Sequence, residues 1–173
     1  MTDLYQRIVG QRSSLENLMA KVPGFRGYKE ASDRRAADRM IREHVVGLLK
    51  EQMKRLKSVE KKLLTGGGLA HATDTRSAKM SFQSFIDRVN TAAPGYSGFF
   101  DAKKVGPDEL AKIYAFDAAL ITYVDKFREK IDALGKAAKE PDSLAAAISD
   151  LETLVQEANS AYALRDNVLT ELT

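Results

Sequence analysis

Histidine, cysteine and clustered carboxylates are where catalytic or metal chemistry would first be sought, and here they are sparse. The 173 residues hold two histidines and no cysteine, which removes disulfides, thiolate metal sites and cysteine nucleophiles. A di-iron bundle needs two Glu-x-x-His pairs, so that carboxylate and imidazole share a helix face. Neither His44 nor His71 has a glutamate three residues before it. No His-Glu-x-x-His run is present, and Gly66-Gly67-Gly68 lacks the Lys-Ser/Thr that follows in a phosphate loop. Gly95-Tyr96-Ser97-Gly98 lacks both the further glycine and the preceding strand of a nucleophile elbow. These absences point to a protein that is not an enzyme, with no metal and no cofactor.

Two charges stand out for a different reason: Asp117 and Arg165 interrupt otherwise apolar helical seams. In an antiparallel hairpin turning near residue 139, Leu134 faces about Leu144, so Asp117 lies opposite residue 161 and one turn from Arg165. A charge at a core position is tolerated when it is paired, and a carboxylate with a guanidinium can pair in two bonds. The spacing therefore predicts a buried Asp117–Arg165 contact, or failing that Asp117 bonded to Arg34, Arg35, Arg39 or loop amides.

A second feature is repeated. Pro23-Gly24-Phe25-Arg26-Gly27-Tyr28 and Pro94-Gly95-Tyr96-Ser97-Gly98-Phe99 share the pattern Pro-Gly-aromatic-x-Gly-aromatic, 71 residues apart. Glycine allows positive φ in such loops, and the rings are free either to plug the end of a bundle or to face a partner. In the second case Phe25, Arg26, Tyr28, Arg34, Arg35, Tyr96, Phe99 and Phe100 form a partner-binding surface of aromatic rings and guanidinium groups.

The elements that must position these residues are helices. Leu4, Ile8, Leu15, Leu18 and Val22 predict a helix over 3–22, ended by Pro23-Gly24. Ala37, Ile41, Val45, Leu48, Gln52, Leu56, Val59 and Leu63 predict one from about Ser32 or Asp33 to Leu64, stopped by the triglycine. Met80, Phe82, Phe85, Ile86 and Val89 mark a third, with Ala70 to Ser77 left open between loop and first turn. Pro107 with Asp108-Glu109 opens a fourth, whose seam runs Leu110, Ile113, Asp117, Leu120, Val124, Phe127, Ile131 and Leu134. A fifth carries Leu144, Ile148, Leu151, Val155, Ala158, Tyr162, Arg165, Leu169 and Leu172. The expected fold is all-α: an antiparallel bundle of about five helices with coiled-coil-like packing, built as two helix–loop–helix units and a C-terminal helix in one domain over 1–173. Alternating directions put both Pro-Gly loops, with Arg34, Arg35, Arg39 and Arg165, at one end.

The net charge of +3 conceals an asymmetry. Residues 140–173 carry seven acids against Arg165, a net of −6, while 32–62 carry ten bases against five acids. The basic helix is expected to be solvated or to pair with the acidic one, and a nucleic-acid site is not expected because no aromatics interleave the bases. No stretch has the length of apolar residues that spans a membrane, and residues 1–7 lack a signal core, so the expected location is cytoplasmic, with any membrane contact peripheral.

The segments Lys21 to Lys29, Asp33-Arg34-Arg35-Ala36-Ala37-Asp38-Arg39 and Tyr114-Ala115-Phe116-Asp117 resemble a group of bacterial all-helical proteins to which no activity is assigned. The resemblance implies a helical fold and a place beside membrane-associated scaffold proteins of the band-7 type. It carries over no active-site residue. The expected function is a non-enzymatic interaction module, an adaptor or scaffold subunit that binds a protein partner through the loop end or a helix face, homo-oligomers included. The alternative is binding of a polyanion or an anionic membrane surface by the basic second helix, through Arg34, Arg35, Arg39, Arg42, Lys50, Lys54, Arg55, Lys57, Lys61 and Lys62.

Overall fold

A computed structural model describes residues 2–11, 14–92, 98–101 and 105–171. Along the chain come α1 (Thr2–Val9), α2 (Ser14–Lys21), a 3-10 turn (Ala31–Asp33), α3 (Arg34–Thr65), a second 3-10 turn (Gly68–His71) and α4 (Ala72–Thr91). The single turn α5 (Gly98–Asp101), α6 (Pro107–Ala137) and α7 (Pro141–Glu171) complete it. The described residues form an all-α bundle without strands, as the periodicities predict.

Local chemistry explains most boundaries. α6 opens with Pro107 in its first turn, where a missing N–H costs nothing, and with Asp108 and Glu109 at the positive end of its dipole. Between α3 and α4 the chain reverses through Gly67, whose φ of +96° is a conformation glycine adopts freely. The helix expected over 3–22 is two helices. Gly10 closes α1 by donating to Gln6 O, and Ser14, of a type that favours helix starts, opens α2. The open stretch before Ser77 is resolved in favour of helix, since α4 begins at Ala72.

Four long helices make a ring in which α3 lies beside α4 and α6, and α7 also lies beside α4 and α6. α1 and α2 cover the outer face of α6. This makes α6 the most enclosed helix: from Ile113 to Ile121 every residue is buried except Ala118, which is partly so. Its sequence there, Ile-Tyr-Ala-Phe-Asp-Ala-Ala-Leu-Ile, is apolar or small on nearly all sides, as an enclosed helix requires. In the core Phe82 stacks on Phe127 with ring centroids 4.4 Å apart, an arrangement worth about 0.5–1.5 kcal/mol beyond the area it buries.

The ring also decides between the two expectations for the basic helix, solvated or paired with the acidic one. Basic α3 and acidic α7 occupy opposite corners, so their outer faces do not pair. The acids of α7 meet other helices instead: Asp150 takes Lys130 of α6 at 3.2 Å, Asp166 meets Arg88 of α4 at 3.7 Å, and Glu157 meets Arg7 of α1 at 3.6 Å. Arg55 of α3 pairs with Asp132 of α6.

Candidate functional site

The loop after α2 is shaped by two glycines with positive φ, Gly24 at +82° and Gly27 at +100°. At Gly27 there is no room for a side chain, since a Cβ would stand 2.6 Å from Tyr114 Oη. That close approach lets the Tyr28 N–H donate to Tyr114 Oη at 2.9 Å and turns the Tyr28 ring into the bundle. There it lies parallel to Tyr114 and edge-on to Phe25 and Phe99, with centroids 5.4–5.6 Å apart.

Beneath the ring lies a chain of charge-assisted hydrogen bonds. Tyr28 Oη donates to Asp117 Oδ2 at 2.5 Å, and Arg165 Nε donates to Asp117 Oδ1 at 2.7 Å, the contact the hairpin register predicts. The other arm of Arg165 reaches across to α3, where Nη2 donates to Asp38 Oδ1 at 2.7 Å. Arg42 Nε donates to Asp38 Oδ2 at 2.8 Å, and its Nη1 donates to the carbonyl of Val89 in α4 at 3.3 Å. Arg34 closes the loop from outside, donating through Nε to the Tyr28 carbonyl at 2.9 Å and through Nη1 to the Phe99 carbonyl at 3.0 Å. Its guanidinium also lies 5.1 Å from the centroid of the Phe99 ring.

Asp117 is fully enclosed, and Arg34, Asp38 and Arg165 are each 2% exposed. Ions this deep must be paired. Burial pushes the Asp117 carboxyl up, against the pull of Arg165 and the Tyr28 hydroxyl. At Asp38 burial pushes the same way, but the two guanidiniums of Arg165 and Arg42 outweigh it and hold the carboxyl below its ordinary value. Burial likewise raises the phenols of Tyr28 and Tyr114. Tyr162, whose buried hydroxyl meets no hydrogen-bonding partner among the described residues, is pushed up to about 12 by burial.

The eight residues expected to face a partner separate into three groups. Phe25, Tyr28, Arg34, Phe99 and Phe100 are buried, so their side chains plug the bundle end and do not form its surface. Arg26 and Arg35 are exposed, the latter with its guanidinium 5.4 Å from the Phe100 centroid. Tyr96 lies outside the described residues, with most of the second loop. The structure adds Asp38, Arg42 and Tyr114, which were not expected at the site. Asp38 and Arg42 stand four apart on a second buried stripe of α3 that continues through Val46, Leu49 and Met53, and their opposite charges at that spacing were the available signal.

The network is closed chemically as well as sterically. Among the described residues no three His, Cys, Asp or Glu side chains are grouped to hold a metal ion. Near it on the surface is an open groove between the end of α2 and α3, with Val22, Pro23, Ala36 and Met40 as apolar lining and Arg39, Glu43 and His44 at its polar edge. Compared with models of protein families, with curated proteins and with solved structures, the chain matches none.

Proposed function

We propose that the chain is a non-enzymatic interaction module, an adaptor or scaffold subunit that binds a protein partner beside its Pro23–Tyr28 loop. One observation carries the reading: Asp38, Asp117, Arg34, Arg42 and Arg165 are buried and bonded to neighbouring groups, so the most concentrated ionisable chemistry in the chain holds a loop in place. A reacting group must reach its substrate, and none of these five lines the groove outside. Beside that loop the surface offers the groove, and Arg26 and Arg35 are exposed. Its apolar lining and mixed-charge edge suit a helix or loop of another protein, with an apolar anchor between Pro23 and Met40.

The test uses Ala36→Arg, which fills the groove from an exposed helical position and leaves the core untouched. Affinity purification from the native host should return proteins with the wild-type chain that are lost with the variant at unchanged melting temperature. The same proteins retained by both chains would remove the groove from the interaction. Loss of binding only when the melting temperature collapses would return the loop to a purely structural role.

A further inference from the structure

We propose that the outer face of α3 docks on an anionic lipid membrane, with Lys50, Lys54, Lys57 and Lys61 at the headgroups and Leu64 and Leu69 entering the acyl boundary. The four lysines follow at spacings of four, three and four residues, which sets them on one helix face over roughly 16 Å, and Leu64 continues that face three residues on. All four are exposed, and none forms an ion pair with a described residue. The charges of α3 that do pair point elsewhere: Arg42 to Asp38, Arg55 to Asp132, and Glu60 to Lys79 at 2.6 Å.

Two further observations select the ligand. With α3 and α7 at opposite corners of the ring, the acid-rich helix does not adjoin the lysine row, so a flat anionic surface meets α3 without meeting the excess acids of α7. At the end of the lysine row the large apolar side chains emerge, Leu64 at 43% and Leu69 at 70% exposed. Duplex nucleic acid would use the lysines and leave the leucines in water, whereas a bilayer accommodates both. No helix among the described residues is long and apolar enough to cross a membrane, so the contact is with the surface. The lysine row lies further along α3 than the groove beside Pro23, whose lining ends at His44, so the two proposals are tested on different residues.

The experiment is sedimentation of the full chain with phosphatidylcholine vesicles, with and without phosphatidylserine, across a salt series. Binding is expected with phosphatidylserine alone and should weaken as salt rises. Each lysine near such a surface contributes about five-fold, so K50Q/K54Q/K57Q/K61Q should lose about two to three orders of magnitude, with its circular dichroism unchanged. Because the chain has no tryptophan, Leu69→Trp reports on the tip: its emission should shift to the blue with anionic vesicles, while Asn167→Trp on α7 should not shift. Vesicle binding indifferent to the four lysines would overturn the proposal, as would an unshifted Leu69→Trp on sedimented protein. Lysine-dependent binding to mixed-sequence duplex DNA without vesicle binding would reassign the face to nucleic acid.

Discussion

Asp117 occupies a seam position where Leu120, Val124 and Phe127 continue the pattern, and its carboxylate is held by Arg165 and Tyr28. Removing it leaves a buried guanidinium short of a partner, so Asp117→Ala should cost about 3–5 kcal/mol in urea unfolding. Asp117→Leu combined with Arg165→Met should cost less than that single change, because no uncompensated charge remains and Asp38 keeps Arg42. A single-variant loss below about 1 kcal/mol would class the pair with exposed ones and sink the assignment. Acid should separate the two aspartates. The Asp38 carboxyl is held below its ordinary 3.8 in the folded protein, so the unfolded chain binds protons more readily. Its stabilisation is therefore present above 3.8 and lost as pH falls through the folded value. Asp117, raised by burial, has the opposite sign, and its contribution grows as pH falls. The stability gap between wild type and Asp38→Asn should close on acidification below 3.8, and the gap to Asp117→Asn should widen. Parallel curves for the two variants would contradict this.

At the scale of elements, glycine divides into two uses. Gly47 lies inside α3 on its exposed side, and a Cβ there would meet nothing within 4 Å. Gly47→Ala should therefore stabilise by about 0.5–1 kcal/mol through helix propensity alone. Gly27 combines φ of +100° with the 2.6 Å approach to Tyr114 Oη, so Gly27→Ala should destabilise by about 2 kcal/mol or more. Thermal unfolding checks both, at roughly 2–4 °C per kcal/mol for a chain of this size. The same contrast shows what the sequence discloses about elements. The seams of α3, α6 and α7 were legible because a period of 3.6 sustained over eight turns has no competing reading, and their register was enough to place Arg165 near Asp117. Which helices would be neighbours was not legible, since every amphipathic stripe fits several partners, and so pairing of α3 with α7 stayed open beside a solvated α3 although the two stand on a diagonal. Loop composition showed that Phe25 and Tyr28 matter but not which way the rings point. That direction depends on Gly27 meeting Tyr114, 87 residues away in the chain. Asp38 and Arg42 were hidden in a run of charges that resembles a solvated face.

For the whole molecule, the buried network decides which parts unfold together. Tyr28 of the loop, Arg34, Asp38 and Arg42 of α3, Asp117 of α6 and Arg165 of α7 are linked in one hydrogen-bonded chain that also reaches the carbonyls of Val89 and Phe99. Opening any of these elements strands a charge in the core, so they should open as a unit. α1 is outside that unit. It has eight residues, one buried apolar side chain in Ile8, Leu4, Tyr5 and Val9 partly buried against the core with Tyr5 5.8 Å from the Phe116 ring, and an ion pair from Arg7 to Glu157. A helix of that length has no stability of its own, so its protection rests on those contacts. In native-state hydrogen exchange the amides of α1 should open at a lower free energy than those of α3, α6 and α7, which should exchange by global unfolding alone. In Asp117→Ala the amide of Tyr28, bonded to Tyr114 Oη in the native chain, should move from the slow class toward the fast one as the loop loses its anchor. Equal protection of α1 and α6 would show instead that Leu4, Tyr5, Ile8 and Val9 suffice to bind α1 into the cooperative unit. An unchanged Tyr28 amide in the variant would show that the glycine-shaped loop holds without its buried carboxylate.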